Sequence, residues 1–301
     1  MEILTDKEGI LRQLKEHIGR YGHMPEHHPY LFLYYDVAKG YEITYFDFNE
    51  RGGIAAYQKG ELGRMVSEPI AAKENKGKLF QEVLRYIFCD AQAKKLTVED
   101  WTEEFRKEVL KILASLKVKA TKSFYTLFWP IYNLREFDDA LTGKKLKGMR
   151  YARNRFVNGH EVTIRDLREI DTKKPIDLVE SWGKKRSGRD VVYTGEYVRM
   201  IENKFPGCDL ACAIFIDGRL CAASAGWGIP NSKGYYSFLD IHDYSDPYLG
   251  EFAGLTHFLA AKKRGYEFLD FGGSDKNLLN FKKKFHPVRI YKTQNFSIVK
   301  A

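Results

Sequence analysis

Phe268-Leu-Asp-Phe-Gly-Gly-Ser-Asp-Lys-Asn-Leu-Leu-Asn-Phe-Lys-Lys-Lys-Phe-His-Pro-Val288 is the stretch on which the reading of this chain turns. Its first residues are apolar and suit a short buried strand. Gly272 and Gly273 then let the backbone turn and approach closely. Ser274 or Asp275 caps a short helix, and Pro287 stops the basic run that follows. Strand, glycine turn and helix start predict a place where backbone N–H groups and cations converge on an anion. Gly272, Gly273, Ser274 and Asn277 are the candidate contacts at the turn. A glycine link between strand and helix is also common where no ligand binds, and lysines are usually solvated, so both readings stand at this level.

Upstream, Gly250–Arg264 carries a strong helical pattern. Phe252, Leu255, Phe258 and Leu259 face one side, Lys262, Lys263 and Arg264 sit at the negative end of the dipole, and Gly265 is a cap. Before it, Leu210–Ile216 and Leu220–Trp227 flank Asp217-Gly218, a hairpin signal. Gly234–Ile241 is a further strand, ending in His242-Asp-Tyr-Ser-Asp-Pro247. Tyr266–Phe271 is the strand of the opening stretch, and Val288–Tyr291 with Phe296–Val299 closes the chain. Ile164–Ile170, Pro175–Lys185 and Gly195–Lys204 read as helices. Hairpin, strand, crossover helix, strand, short helix, strand describes a mixed sheet, not an alternating doubly wound unit.

The first half follows a compatible order. Ile3–Ile18 reads as a helix, followed by an exposed loop over Gly22–Pro29 whose His23, His27 and His28 are not expected to hold a metal. Tyr30–Val37, Tyr41–Phe48 and Ile54–Tyr57 read as strands, with Ala38-Lys-Gly40 as the first turn. Lys78–Ala93 reads as a helix, and a second starts at Thr97, which with Asp100 approximates a capping box. Phe124–Ile131 is an aromatic strand. Leu134–Asn158 reads as a helical connector, with Lys144, Lys147 and Tyr151 on one face and Arg150 and Arg153 beside them. The expected class is α+β, a mixed α/β chain of two similar modules. Their boundaries fall at 1–140 and 159–301, joined by a basic linker helix at 141–158. No repeat in the sequence supports the duplication, which rests on element order.

With 301 residues, 44% of them hydrophobic, the chain can bury the cores of two domains. The formal net charge is +9, and the stretch from Lys144 to Arg155 carries six cations and no acid. Gly183–Arg189 and Lys276–Lys292 are also basic, which points to a polyanionic partner such as nucleic acid or an anionic lipid surface. The four cysteines, Cys89, Cys208, Cys212 and Cys221, form no CxxC pair and read as reduced core residues. Cys208 and Cys212 lack a matching pair, so zinc is not expected. No apolar run is long enough for a transmembrane segment, and the N-terminus has no signal-peptide character, so a cytoplasmic protein is expected.

The element order over residues 210–299 resembles the GNAT acyltransferase fold. Asp270-Phe-Gly-Gly-Ser274 followed by Leu279-Asn-Phe-Lys-Lys-Lys-Phe-His-Pro-Val288 is similar to the C-terminal signature of the tandem-GNAT aminoacyltransferases. These comprise the phosphatidylglycerol lysyltransferase catalytic domain and the Fem peptidyltransferases. Leu141-Thr-Gly-Lys-Lys-Leu-Lys-Gly-Met-Arg-Tyr-Ala-Arg-Asn-Arg-Phe156 resembles the basic helix that joins the two modules in soluble relatives of that domain. The resemblance implies two GNAT-like modules in tandem, each a mixed, mostly antiparallel sheet with flanking helices. It also implies transfer of an aminoacyl group from aminoacyl-tRNA to an amine or hydroxyl of a lipid, peptide or small molecule. No tightly bound cofactor and no metal are implied. Peripheral membrane contact is compatible with a lipid acceptor.

By the same resemblance Lys282 is the lysine that stabilises the oxyanion formed on the ester carbonyl, and Lys284 is the second basic position. Phe281 and Phe285 are their packing anchors, and Asp270, within the matched signature, joins the candidate catalytic set. A proton acceptor is wanted near the end of the central strands, where Asp240, His242 and Asp243 lie; His242 has the most suitable ordinary pKa. Lys144, Lys147, Arg150 and Arg153 are the candidate contacts to tRNA phosphates. One departure matters. Acyl-CoA enzymes of the GNAT fold carry an Arg/Gln-x-x-Gly-x-Gly/Ala loop, and neither Tyr248-Leu-Gly-Glu-Phe-Ala-Gly254 nor Glu74-Asn-Lys-Gly-Lys-Leu79 matches it. An acyl-CoA-dependent N-acyltransferase and a non-catalytic tRNA- or membrane-binding module are the alternatives.

Overall fold

The computed structural model describes residues 1–35, 40–186 and 193–301. Val37, Ala38 and Lys39 of the first expected strand and turn, and Ser187–Arg189 of the second basic cluster, lie outside them. The chain divides into two compact units, Met1–Phe128 with Tyr291–Ala301, and Trp129–Ile290.

The first unit begins with β1 (Glu2–Leu4), α1 (Lys7–Tyr21), α2 (Pro29–Tyr34), β2 (Glu42–Asp47), β3 (Gly52–Lys59), β4 (Leu62–Met65) and β5 (Ile70–Ala71). It continues with α3 (Lys73–Arg85), β6 (Lys95–Thr102), α4 (Glu103–Leu113) and β7 (Val118–Ala120). β1 to β4 pair antiparallel in sequence order. α3 is a crossover that brings β6 parallel to β4. Leu79, Phe80 and Val83 of α3 and Phe105 and Val109 of α4 pack with Val98 and Trp101 of β6 in one buried cluster.

The second unit holds the end of β8 (Tyr125–Asn133), then α5 (Lys147–Gly159), β9 (Val162–Asp166), α6 (Lys173–Lys184), α7 (Gly195–Glu202), β10 (Leu210–Ile216) and β11 (Arg219–Gly228). β12 (Gly234–His242), α8 (Leu249–Lys263), β13 (Phe268–Asp270) and α9 (Lys276–Lys282) complete it. Its strands run β8-β13-β12-β11-β10-β9, and β12 with β13 is the parallel pair. The final strand, β14 (Arg289–Lys300), returns to the first unit, where it pairs with β6 and β7. Each unit is thus a mixed, mostly antiparallel sheet with flanking helices.

Several local expectations change. Glu2–Leu4 is a strand before α1, which Asp6 caps by accepting from Gly9 N at 2.6 Å. Tyr30–Tyr34 is helical, because Pro29 at the first helical position favours a helix start and Leu31, Phe32 and Leu33 all find a core. Thr97 lies inside β6; the cap of the following helix is Thr102, whose hydroxyl accepts from Phe105 N at 3.2 Å. Val162–Asp166 is a strand on β10, not the start of a helix. The histidine loop is packed rather than exposed, with His27 and His28 buried. Cys89 is exposed while Cys208 and Cys221 are buried.

The pairing of β12 with β13 decides where a site can form. It covers only Gly234–Tyr236 against Phe268–Asp270. β13 then ends in the glycine turn, while β12 continues to His242. Two parallel strands that part in this way leave an opening.

Candidate active site

That opening is a cavity of about 540 Å³, within the size range of small-molecule sites. β12 supplies Tyr236, Ser237, Phe238, Asp240 and His242. α8 supplies Gly250, Glu251 and Gly254, and the glycine turn with α9 supplies Gly272, Gly273, Asn277, Phe281, Lys282 and Lys284. Trp182 and Arg186 on one side add an aromatic ring and a further cation. Lys282, His242, Gly272, Gly273, Asn277, Phe281 and Lys284, predicted as site residues, therefore come together. Asp270, Asp243 and Ser274 do not line the cavity, and neither do Lys147, Arg150 and Arg153.

The turn works differently from an anion cradle. Gly272 adopts φ +76°, a left-handed conformation that favours glycine. Its N–H donates to Asp270 Oδ1 at 2.9 Å, so that donor is already used. Its carbonyl, with that of Phe271, faces inward and accepts from Lys282 Nζ, at 3.0 Å for Gly272. Asp270 thus fixes the turn whose carbonyls accept from the lysine. Ser274 is 1% exposed and the helix cap is Asp275, which accepts from Leu278 N at 2.8 Å.

Lys282 is the last residue of α9 and is 7% exposed. Burial lowers its ammonium to about 8, while the Asp240 and Asp270 carboxylates pull the other way. Tyr132 donates its hydroxyl to the Lys282 carbonyl at 2.7 Å, and Phe285 packs among Tyr132, Phe258 and Phe271. These contacts fix the end of α9. Lys284 pairs with Glu251 Oε1 at 2.5 Å, so its charge is partly spent at the first turn of α8.

His242 is lowered below its ordinary value by burial, although Asp243 and Glu251 oppose the shift. It stands against Gly250: a Cβ there would lie 2.8 Å from His242 Cε1 and 3.2 Å from Phe281 Cζ. Asp243 is committed elsewhere, to an ion pair with Arg219 and to the N–H of Ser245 at 3.0 Å. Burial opposes its ionisation, yet these donors hold its carboxyl below the usual range.

The basic connector is also partly committed. α5 starts at Lys147, so Lys144 lies in the turn before it, at the rim of a second cavity that Lys145 and His286 share. Arg150 donates to the Leu141 and Gly143 carbonyls and Arg153 to Asp139 O at 3.3 Å, while Arg155 pairs with Asp246 at 2.6 Å. Lys144 and Lys147 remain exposed. Among the described residues no cluster of His, Cys, Asp and Glu could hold a metal, and no helix is long and apolar enough to cross a membrane.

The structure adds a network that the sequence reading did not assemble. His257 of α8 is fully buried and donates through Nδ1 to Asp240 Oδ1 at 2.8 Å. With that tautomer its Nε2 accepts from the Tyr235 hydroxyl at 2.8 Å. Ser237 donates its hydroxyl to Asp240 Oδ2. The available signal was a histidine inside a helix that is otherwise apolar nearly all round, together with Glu251 one turn and a half earlier.

Two tandem mixed sheets, a crossover helix, and a cavity between parting parallel strands define a GNAT-like acyltransferase. The family model "Phosphatidylglycerol lysyltransferase, C-terminal" matches residues 37–294, and the chain belongs to that family. No curated protein matches in sequence. Among solved structures it is similar to L-PGS from Bacillus licheniformis, with 14% identity, 98% of this chain and 92% of that chain covered, and a TM-score of 0.68. It is also similar to FemX, with 12% identity, 99% and 97% covered, and a TM-score of 0.64. A tandem GNAT protein from the clavulanic acid biosynthesis pathway is similar at 8% identity, 99% and 98% coverage, and a TM-score of 0.56.

Proposed function

We propose that this protein transfers an aminoacyl group from aminoacyl-tRNA to the amine or hydroxyl of a lipid, peptide or small-molecule acceptor. Family membership supports aminoacyl transfer in general, and the buried Lys282 at the cavity wall is the observation that carries the reading to this site. In the proposed reaction the acceptor nitrogen or oxygen attacks the ester carbonyl carbon. The new bond forms as the carbonyl oxygen takes negative charge, and Lys282 stabilises that oxyanion. The bond to the ribose oxygen then breaks. His242 takes the proton from the acceptor, and the released hydroxyl regains one. Lys144 and Lys147 are exposed cations available for tRNA phosphates, and an anionic lipid acceptor would use the same charge.

One observation weighs against acyl-CoA as the donor: neither Tyr248–Gly254 at the start of α8 nor Glu74–Leu79 matches the pyrophosphate loop of acyl-CoA enzymes. The test is incubation with a pool of labelled aminoacyl-tRNA and candidate acceptors. Acceptor-dependent loss of label, slowed by about 10²–10³-fold in Lys282→Ala, is expected; no loss with any tRNA pool would sink the proposal. Protection of the protein by CoA in a thermal shift would favour the acyl-CoA reading instead.

A further inference from the structure

β9 ends the sheet of the second unit. It pairs with β10 on one side, and among the described residues no strand pairs with it on the other. Glu161 O accepts from Asp217 N at 2.9 Å, which sets the alternation of the ladder. Glu161, Thr163 and Arg165 turn their backbone groups toward β10, so Val162 and Ile164 turn their N–H and C=O outward. Neither a proline nor a register shift interrupts this edge, and its unpaired groups are a template for another strand.

The side chains alternate with the same period. Val162 packs on the buried cluster that holds Phe156, Ile214, Ile216 and Phe252. Ile164 lies on the same face and is 53% exposed, and Val157, next to Phe156 in α5, is 59% exposed. The opposite face carries Glu161, Thr163 and Arg165, all exposed. Arg165 lies over the Phe215 ring at 5.8 Å, and among the described residues neither it nor Glu161 has an ion-pair partner.

An edge of this composition is its own complement. Antiparallel pairing of two copies must match outward-facing residues with outward-facing residues, so the allowed registers differ by two residues. With Thr163 on the two-fold axis, Val162 of each copy stands opposite Ile164 of the other, and Glu161 of each opposite Arg165 of the other. Moving the axis to Ile164 sets Val162 against Asp166, and moving it to Val162 sets Ile164 against His160; neither forms the charge pairs. We infer that this chain self-associates through β9, which pairs antiparallel with β9 of a second copy about an axis at Thr163. Two apolar pairs and two opposite-charge pairs fix the register. Only a five-residue strand is offered by each copy, so the association is reversible and concentration-dependent.

The test combines sedimentation velocity with disulfide trapping of the full chain. Wild type is expected to shift from monomer toward dimer across a concentration series. At Thr163 the copies meet in a non-hydrogen-bonded pair, whose Cα atoms lie about 4.5 Å apart, within reach of a disulfide. Under mild oxidation Thr163→Cys should therefore give a covalent dimer in several-fold higher yield than wild type, whose exposed thiol is Cys89. Glu161→Arg or Arg165→Glu sets like charges opposite each other twice per dimer. Either change should weaken association by about tenfold and lower the trapping yield of Thr163→Cys, and the two together should restore both. Recovery in the double variant also shows that neither exposed substitution has unfolded the chain. Monomer at every concentration, or trapping in Thr163→Cys no higher than in wild type, overturns the inference. A dimer that the single reversals leave intact, or that the double reversal does not recover, overturns it as well.

Discussion

An ammonium taken mostly out of water gives up its proton more easily than one in solution, even where carbonyl oxygens accept from it. Lys282 does so near pH 8, and His242 is held neutral down to values below 6.5. The proposed roles need a charged lysine and a neutral histidine, so kcat/KM should rise with pH through the histidine and fall through about 8. In Lys282→Ala the falling limb should vanish and kcat should drop by about 10²–10³-fold. A falling limb that survives this change would remove Lys282 from the oxyanion role. Stability carries the same signature with its own sign. The folded pKa lies below the ordinary 10.5, so between about 8 and 10.5 the unfolded chain binds more protons and stability rises with pH. Below about 8 the cost of burying the charge is fully present. Lys282→Met should flatten this rise in a pH series of denaturant melts.

At the same scale, Gly250→Ala places a methyl 2.8 Å from His242 Cε1 and 3.2 Å from Phe281 Cζ. The imidazole has to move, and the expected result is a loss of kcat of about tenfold or more in a folded protein. Unchanged kcat would show that the position of His242 is unimportant.

Elements place these groups, and α9 depends on its packing more than on its length. Phe285 follows it, 1% exposed, its ring within 5.1 Å of Phe258 and 5.5 Å of Phe271 between centroids. Phe285→Ala should cost about 3–5 kcal/mol in denaturant unfolding and lower activity with it. That much was legible in advance, because strand, glycine pair, cap and terminating proline all act locally. So were the hairpin at Asp217-Gly218 and the crossover helix. Other elements were not legible, for identifiable reasons. β9 is an edge strand whose middle residues are all exposed, so it lacks an alternating apolar pattern. α2 is aromatic and short, and its composition suits a strand as well as a helix. β6 ends where α4 begins, and a threonine near each end left the cap ambiguous. For the site, the lysine and its turn could be read from order and spacing. The direction of the turn could not, since whether a glycine presents its N–H or its C=O depends on the side chain that claims the other. Asp270 claims the N–H. The Asp240–His257–Tyr235 chain joins two elements, and only folding brings them together.

For the molecule as a whole, the two units bury ionisable groups to different ends. In the first, Lys76 Nζ meets Glu68 Oε2 at 2.6 Å, and Glu68 Oε1 accepts from Thr102 N at 3.0 Å. Both residues are nearly inaccessible and satisfied within the protein. In the second, the corresponding charges face a cavity. Lys76→Met should therefore destabilise the fold by about 3–5 kcal/mol while leaving kcat of the folded fraction unchanged. A fall in kcat without loss of stability would assign the first unit a part in the chemistry.

β14 supplies the strand beside β6, and Phe296 and Ile298 in it are fully buried in the first unit. During synthesis, then, the segment that emerges first cannot complete its sheet until residues beyond 290 have left the ribosome. The second unit, by contrast, has its own strands in hand earlier. The order of completion is the reverse of the order of translation, and the early half must wait with β6 unpaired on that side. A nascent chain stalled before Tyr291 should show hydrogen exchange at the amides of Lys95–Thr102 that face β14, while β10–β12 are already protected. A shortened chain ending at Ile290 should aggregate through that same open edge.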